Sequence, residues 1–154
     1  MRTVSPMMMS SMQPDPERHP AFYAGVLPKR FLAWVLDLIL IGVVTALIVP
    51  FTAFTALFFL PFLFLVVGFL YRWLTLSGRS ATWGMRLMSI EFLDRNGQRF
   101  DGATALLHTL GYTVSMAFVM PQVLSVVLMV LSSRGQGLSD MVLGSVAINS
   151  PSSR

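Results

Sequence analysis

The chain reads as an all-α membrane protein. It has three transmembrane helices, room for a re-entrant segment near the third, and a small cytoplasmic β-hairpin flap. Three observations lead there. Of 154 residues, 55% are hydrophobic and 12% charged, about half the charged share of a soluble domain. Long apolar runs follow one another with few charges inside them. The one long polar stretch between them carries Asn96-Gly97, a favoured hairpin-turn pair, flanked by strand-like sequence.

Composition also excludes chemistry. With no cysteine, disulfide frameworks, zinc knuckles, iron–sulfur clusters and thiol nucleophiles are ruled out. The net charge of +4 comes from ten Arg and one Lys, several beside apolar segments. Such residues set membrane orientation and touch anionic headgroups. No basic patch interleaved with aromatics suggests nucleic acid. The expected partner is the lipid bilayer, with no cofactor and no metal site.

Residues 1–21, "MRTVSPMMMSSMQPDPERHPA", are polar and Pro-punctuated and are expected to be a disordered tail. The methionines at 7, 8, 9 and 12 leave the start codon open. The first apolar run covers residues 31–49. It is longer than the roughly 7–15 residues of a signal-peptide core and reads as a retained anchor. It fits a hydrocarbon core of about 30 Å, and Pro50 ends it. A second span follows over 54–71, closing on Tyr71, Arg72 and Trp73 as an interfacial anchor, with a kink expected at Pro61. The flap occupies 84–101, with Met88, Ile90 and Phe92 on one face and Ser89 and Glu91 on the other.

From Ala103 to Leu131 the chain is apolar again, with Pro121 inside. The run is too long for one upright span and too short for two. An interfacial helix over 103–112 leading into a span over 112–131 is the favoured arrangement, and a re-entrant hairpin the rival. A short strand is expected over 144–148, and residues 149–154 form a C-terminal tail. Four Lys/Arg precede the first span, none lies between the first two, and five lie in 72–102. The amino end and flap are therefore expected in the cytoplasm, while the side of Asp140 depends on how the third segment runs.

Asp37 is the residue that most needs explaining, because a carboxylate inside an apolar run costs several kcal/mol unless compensated. Arg30 lies two turns away on nearly the same face, about 10 Å along the axis, too far for a direct hydrogen bond. Partners must come from another segment, with Arg72, Arg79, Arg86 and Arg134 as the candidate cations.

Three blocks then carry a resemblance. Arg30 with Asp37, "SATWGMRLMSIEFLDRNGQRF" and "RGQGLSDMVLGSVAI" together resemble the RDD family of small bacterial membrane proteins, over residues 22–148. The family's naming Arg and two Asp fall on Arg30, Asp37 and Asp140. This chain departs from the family pattern in having Met85 after Gly84 where Lys is usual, Ser139 before the last Asp where His is common, and His108 where Arg is usual. The resemblance implies an inner (plasma) membrane location. Most members have no assigned biochemistry, and some are linked to sodium/proton exchange.

Each candidate residue has two readings. Asp37 is a packing pin or a proton or cation site. Asp140 is a counterpart of Asp37 or a loop-ordering group. Arg30 is an interface anchor or a ligand clamp, and Arg86, His108 and Arg134 are secondary candidates. His108, Tyr112 and Ser115 share a helical face that Gln122 extends, either a proton or water path or the wet side of an interfacial helix. Gly42, Gly68 and Gly111 read as close-packing points. No nucleophile elbow or Walker loop is present, so no enzyme is expected. Two functions remain: a cation or proton transporter or transporter subunit, homo-oligomeric because three spans hardly enclose a pathway, or a non-catalytic accessory protein of a larger envelope complex.

Overall fold

The computed structural model describes residues 13–151, so the expected disorder of 1–12 lies outside the described residues. The apolar runs form helices. Helix α1, Val26–Phe51, contains 26 residues and places Pro50 one residue before its end. It buries a single stripe, Val26, Ala33, Asp37, Ile41, Thr45 and Val49, which repeats mostly every fourth residue and so stays on one face. Its other faces are apolar and open: Phe31 is 62% and Leu47 63% exposed. A helix apolar all round but covered on one stripe only has lipid as its natural solvent.

A 3-10 turn over Thr55–Phe59 leads into α2, Leu60–Arg79. Two expectations change here. Pro61 sits in the first turn of α2, where its missing N–H costs nothing, so it makes no internal kink. Tyr71, Arg72 and Trp73 lie inside the helix, which runs on to Arg79 instead of ending near 71. Arg72 is buried and Tyr71 bonds inward, so they do not form an interfacial anchor.

After α2 come the one-turn helix α3, Trp83–Leu87, and strand β1, Ile90–Leu93. The expected hairpin within 84–101 does not form. The turn at Asn96-Gly97 exists: Gly97 has φ 72° and donates to Asp94 O, while Asp94 Oδ1 accepts from the Asn96 and Gln98 N–H groups. Beyond it, however, Phe100 turns inward and stacks on Phe92, centroids 5.4 Å apart. Strand β1 instead pairs antiparallel with β2, Val146–Asn149, with Ile90 opposite Asn149 and Leu93 opposite Val146. The strand expected over 144–148 is thus present, starting at Val146 and including Asn149 of the supposed tail. All four β1 residues are buried, so the two-faced pattern assigned to this segment fails. Its outward position, Glu91, is covered and held by Arg99 at 3.0 Å.

The third apolar stretch is two helices, α4 (Gly102–Ala117) and α5 (Val119–Leu131), bent by 117° at Phe118. A single helix over 112–131 is therefore absent. The cause is Pro121, whose ring opposes a helical carbonyl four residues back, at Ala117, and whose nitrogen has no hydrogen to donate. The chain then turns through α6, Leu138–Leu143, which Gly144 ends at φ 70°, into β2. By length and composition two helices can cross a membrane, or three if the bent pair counts as one span.

The polar loops gather at the end where α1 begins and α2 finishes. The start of residues 13–21 is tied into this cap, while Asp15 and residues 17–21 are exposed. Gln13 is buried and its amide donates to Asp94 O and Gly144 O, and Tyr23 Oη donates to Pro14 O. Lys29 Nζ reaches Asn149 Oδ1 at 2.7 Å, tying α1 to β2.

Candidate functional site

Both carboxylates singled out in the sequence are buried, Asp37 to 2% and Asp140 to 1% exposure. They sit in separate hydrogen-bond clusters that look onto one chamber.

Asp37 is satisfied by neutral donors. Tyr71 Oη donates to Oδ1 at 2.6 Å, the Gly84 N–H donates to Oδ1 at 2.9 Å, and Thr82 Oγ1 donates to Oδ2 at 2.6 Å. The two hydroxyls are themselves oriented: Tyr71 Oη accepts from the Trp83 N–H, and Thr82 Oγ1 from the Met85 N–H. The three N–H groups opening α3 therefore converge on one carboxylate, one directly and two through a hydroxyl. These are the donors a helix leaves unsatisfied at its start. Asp37 serves as the anchor that closes α3 onto α1. Gly84 makes the approach feasible, because a Cβ there would lie 2.2 Å from Ala33 O and 2.8 Å from Asp37 Oδ1.

None of the proposed cations reaches Asp37. No ion pair within 4.0 Å involves it among the described residues. Arg86 turns away, with its guanidinium over the Trp83 ring and Nε donating to Ala81 O. Arg134 donates to Gln13 Oε1, in the polar cap.

Asp140 collects the charged partners. Arg30 Nη1 donates to Oδ2 at 2.7 Å and the Gly137 N–H at 3.0 Å, while His108 Nε2 at 2.8 Å and Ser145 Oγ at 3.1 Å serve Oδ1. With Nε2 facing a carboxylate, the proton belongs on that nitrogen. Burial pushes the Asp140 carboxyl upward, but the Arg30 charge, the His108 contact and the Gly137 N–H outweigh it and hold it well below the usual carboxylate range. Arg30 is also fixed by Gly135 O at 2.9 Å and by the Phe92 ring, 5.2 Å from its guanidinium carbon. It is a half-buried partner in an ion pair and not an interface anchor. Asp140 is both a loop-ordering group and an electrostatic partner, but its partner is Arg30, not Asp37.

The chamber between α1, α4 and α5 has a volume of about 600 Å³. Arg30, Asp37, Arg72, His108 and Asp140 line its polar part, and Phe31, Val126, Met129 and Val130 its apolar part. The stripe His108, Tyr112, Ser115, Gln122 faces this chamber and is not the wet side of an interfacial helix. His108 Nδ1 is buried there without a hydrogen-bond partner.

Sequence reasoning missed Tyr71, Thr82 and Gly84 around Asp37, and Gly137 and Ser145 around Asp140. The Thr-Trp-Gly run carried the first signal, a capping residue ahead of a one-turn helix. Of the glycines expected at close contacts, Gly42 has open space beside it, Gly68 meets Ile41 at an ordinary 3.6 Å, and Gly111 is tight against Ser139 Oγ at 3.0 Å.

A family model described as the RDD family matches residues 23–144 of the chain. Nothing matches among curated proteins or among solved structures.

Proposed function

Because the chain belongs to the RDD family, we propose that it is a non-catalytic multi-pass protein of the plasma membrane, an accessory or assembly subunit of a larger membrane complex. In this reading its two buried carboxylates pin the fold. The observation that carries it is the donor shell of Asp37: two hydroxyls and one N–H aim hydrogens at its oxygens. A cation would have to displace them, and no second carboxylate stands among the partners to share its charge. The open apolar faces of α1 and α2 offer surface to lipid or to neighbouring helices, including those of a second copy.

The same reading includes a topology of two full spans and a re-entrant hairpin formed by α4 and α5. Its support is the pairing of β1 with β2, which requires residues 90–93 and 146–149 to lie on one side. Lys29 in the first turn of α1, Arg79 at the end of α2, Arg86 in α3 and Arg95 and Arg99 on the following loop gather at that end, which favours the cytoplasm.

One observation favours transport as a second reading: Arg30, His108 and Asp140 form a hydrogen-bonded polar cluster facing the chamber. Cation-driven proton flux in proteoliposomes separates the two, with wild type, Asp37→Asn and Asp140→Asn compared at equal folded amounts. The accessory reading expects no flux from wild type and poor accumulation of Asp37→Asn. Flux in wild type that is abolished in a folded Asp37→Asn or Asp140→Asn protein overturns it in favour of transport.

A further inference from the structure

Among the described residues, Arg72 is the only Arg or Lys that is buried, and neither cluster uses it. It is 9% exposed, its Nε has no hydrogen-bond partner, and no carboxylate oxygen lies within 4.0 Å. Its visible support is the ring of Tyr112, 3.7 Å below the guanidinium carbon. That ring is itself steadied by Trp34 Nε1, which donates to Tyr112 Oη at 2.8 Å. A cation–π contact of this kind holds a guanidinium flat and leaves its in-plane N–H groups unused. Arg72 lines the large chamber and also a smaller one of about 60 Å³, so those groups face open volume.

A buried guanidinium without an acid partner is costly. The fold keeps it beside a chamber of about 600 Å³, a size that encloses a small organic ligand. The chamber's rim names the ligand's other half. Phe31, Val126 and Val130 line it and are 62%, 49% and 63% exposed, and they belong to the apolar belts of α1 and α5. The opening therefore lies where hydrocarbon would surround the protein.

We propose that the chamber is a binding site for an anionic amphiphile, a single-chain molecule with a carboxylate or phosphate head, whose head pairs with Arg72 and whose tail lies along Phe31, Val126 and Val130. The head completes the fork that no protein acid fills, and the tail covers apolar wall otherwise left open. This site goes beyond the packing role given to the carboxylates. The flux and accumulation measurements do not read it, so either proposal can fail alone.

Trp34 lines the chamber and provides the readout. The full chain, in zwitterionic nanodiscs, is titrated with bromine-labelled single-chain carboxylate, phosphate monoester and alcohol of equal length. Quenching of Trp34 is followed, with Trp34→Phe as the blank. Wild type is expected to bind both charged probes about tenfold or more tightly than the alcohol, and Arg72→Gln to lose that preference while still binding the alcohol. Val126→Phe, which fills the apolar wall without adding another tryptophan, should weaken all three. Inorganic phosphate, the head without a tail, should compete poorly. Equal binding of charged and neutral probes by wild type overturns the proposal, as does an unaltered preference in Arg72→Gln. Phosphate competing as well as its monoester would make this a site for free anions and also overturn it. If Arg72→Gln does not accumulate, the wild-type preference and its response to Val126→Phe decide.

Discussion

Arg30 and Asp140 stand 110 residues apart in the chain and 2.7 Å apart in space. This contact joins the start of the first helix to the short helix before the last strand. With His108 as third member it ties α1, α4 and α6 together. Removing either side leaves a charge in a place built for a pair, which is the expensive way to break a buried ion pair. We expect Asp140→Asn to destabilise the protein in detergent by about 3 kcal/mol or more. Arg30→Met should cost at least as much, because the charge it leaves is the carboxylate of Asp140 at 1% exposure, whereas Asp140→Asn leaves Arg30 with 13% of its side chain exposed. A fluorescence-detected melting curve orders the two.

The same carboxylate sets an acid limit. Its native pKa lies below its unfolded value, so the unfolded state binds the proton more readily. The contribution is whole above roughly pH 5 and falls as pH drops below about 4, disappearing only near the depressed native pKa. Stability of the wild type should therefore decline on the acid side more steeply than that of Asp140→Asn. Parallel curves from melting temperatures between pH 3 and 7 (a range chosen to bracket roughly the carboxylate values) would show that this pair does not control acid sensitivity.

Around Asp37 the expectation concerns hydroxyls. Tyr71→Phe and Thr82→Val each remove one donor and should cost about 1–2 kcal/mol, whereas Asp37→Asn, which sets an amide hydrogen against a hydroxyl or N–H, should cost about 2–4 kcal/mol. A double-mutant cycle of Tyr71→Phe with Asp37→Asn should be far from additive. Additive losses would mean that the 2.6 Å contact is not a working bond.

Two glycines should behave oppositely. At Gly84 a Cβ would meet Ala33 O at 2.2 Å, a backbone atom that cannot step aside, so Gly84→Ala should cost about 3 kcal/mol or prevent accumulation. At Gly42 nothing lies within 4 Å, and Gly42→Ala within α1 should be neutral or stabilise by up to about 1 kcal/mol. Similar yields and melting points for the two variants would remove α3 from its place against α1.

Because the chain has no cysteine, single cysteines report topology without background. Cysteines at Asn96 and Ser150 should react from the same face of the membrane, because β1 and β2 pair, and that face is expected to be the cytoplasm. Labelling from opposite sides would be incompatible with the strand pairing and with a re-entrant third segment.

The hydrophobic runs, the end of α1 just past Pro50, the presence of a strand after Gly144 and the family triad were all legible in the residues, because each depends on local composition and spacing. Pro121 marked the broken segment as well, although it left the geometry open between a span and a hairpin. The hairpin at 84–101 misled for the opposite reason: Asn96-Gly97 does form its turn, but turn chemistry cannot say which strand will lie alongside. That was decided by burial. Both faces of the β1–β2 ladder had to be covered, and they are: Ile90, Phe92 and Ala147 pack on one side, Leu93, Val146 and Ile148 on the other.

By itself, then, the sequence determined that this chain belongs in lipid and that a carboxylate lodged in its first helix must find partners elsewhere. Which partners was a tertiary matter. The donors to Asp37 come from 34, 45 and 47 residues away, and Arg30 found its acid 110 residues on. Hydrogen bonds reach about 3 Å and take no account of distance along the chain. Only the folding back of α2, α3 and α6 onto α1 could place neutral donors around one aspartate and a cation on the other.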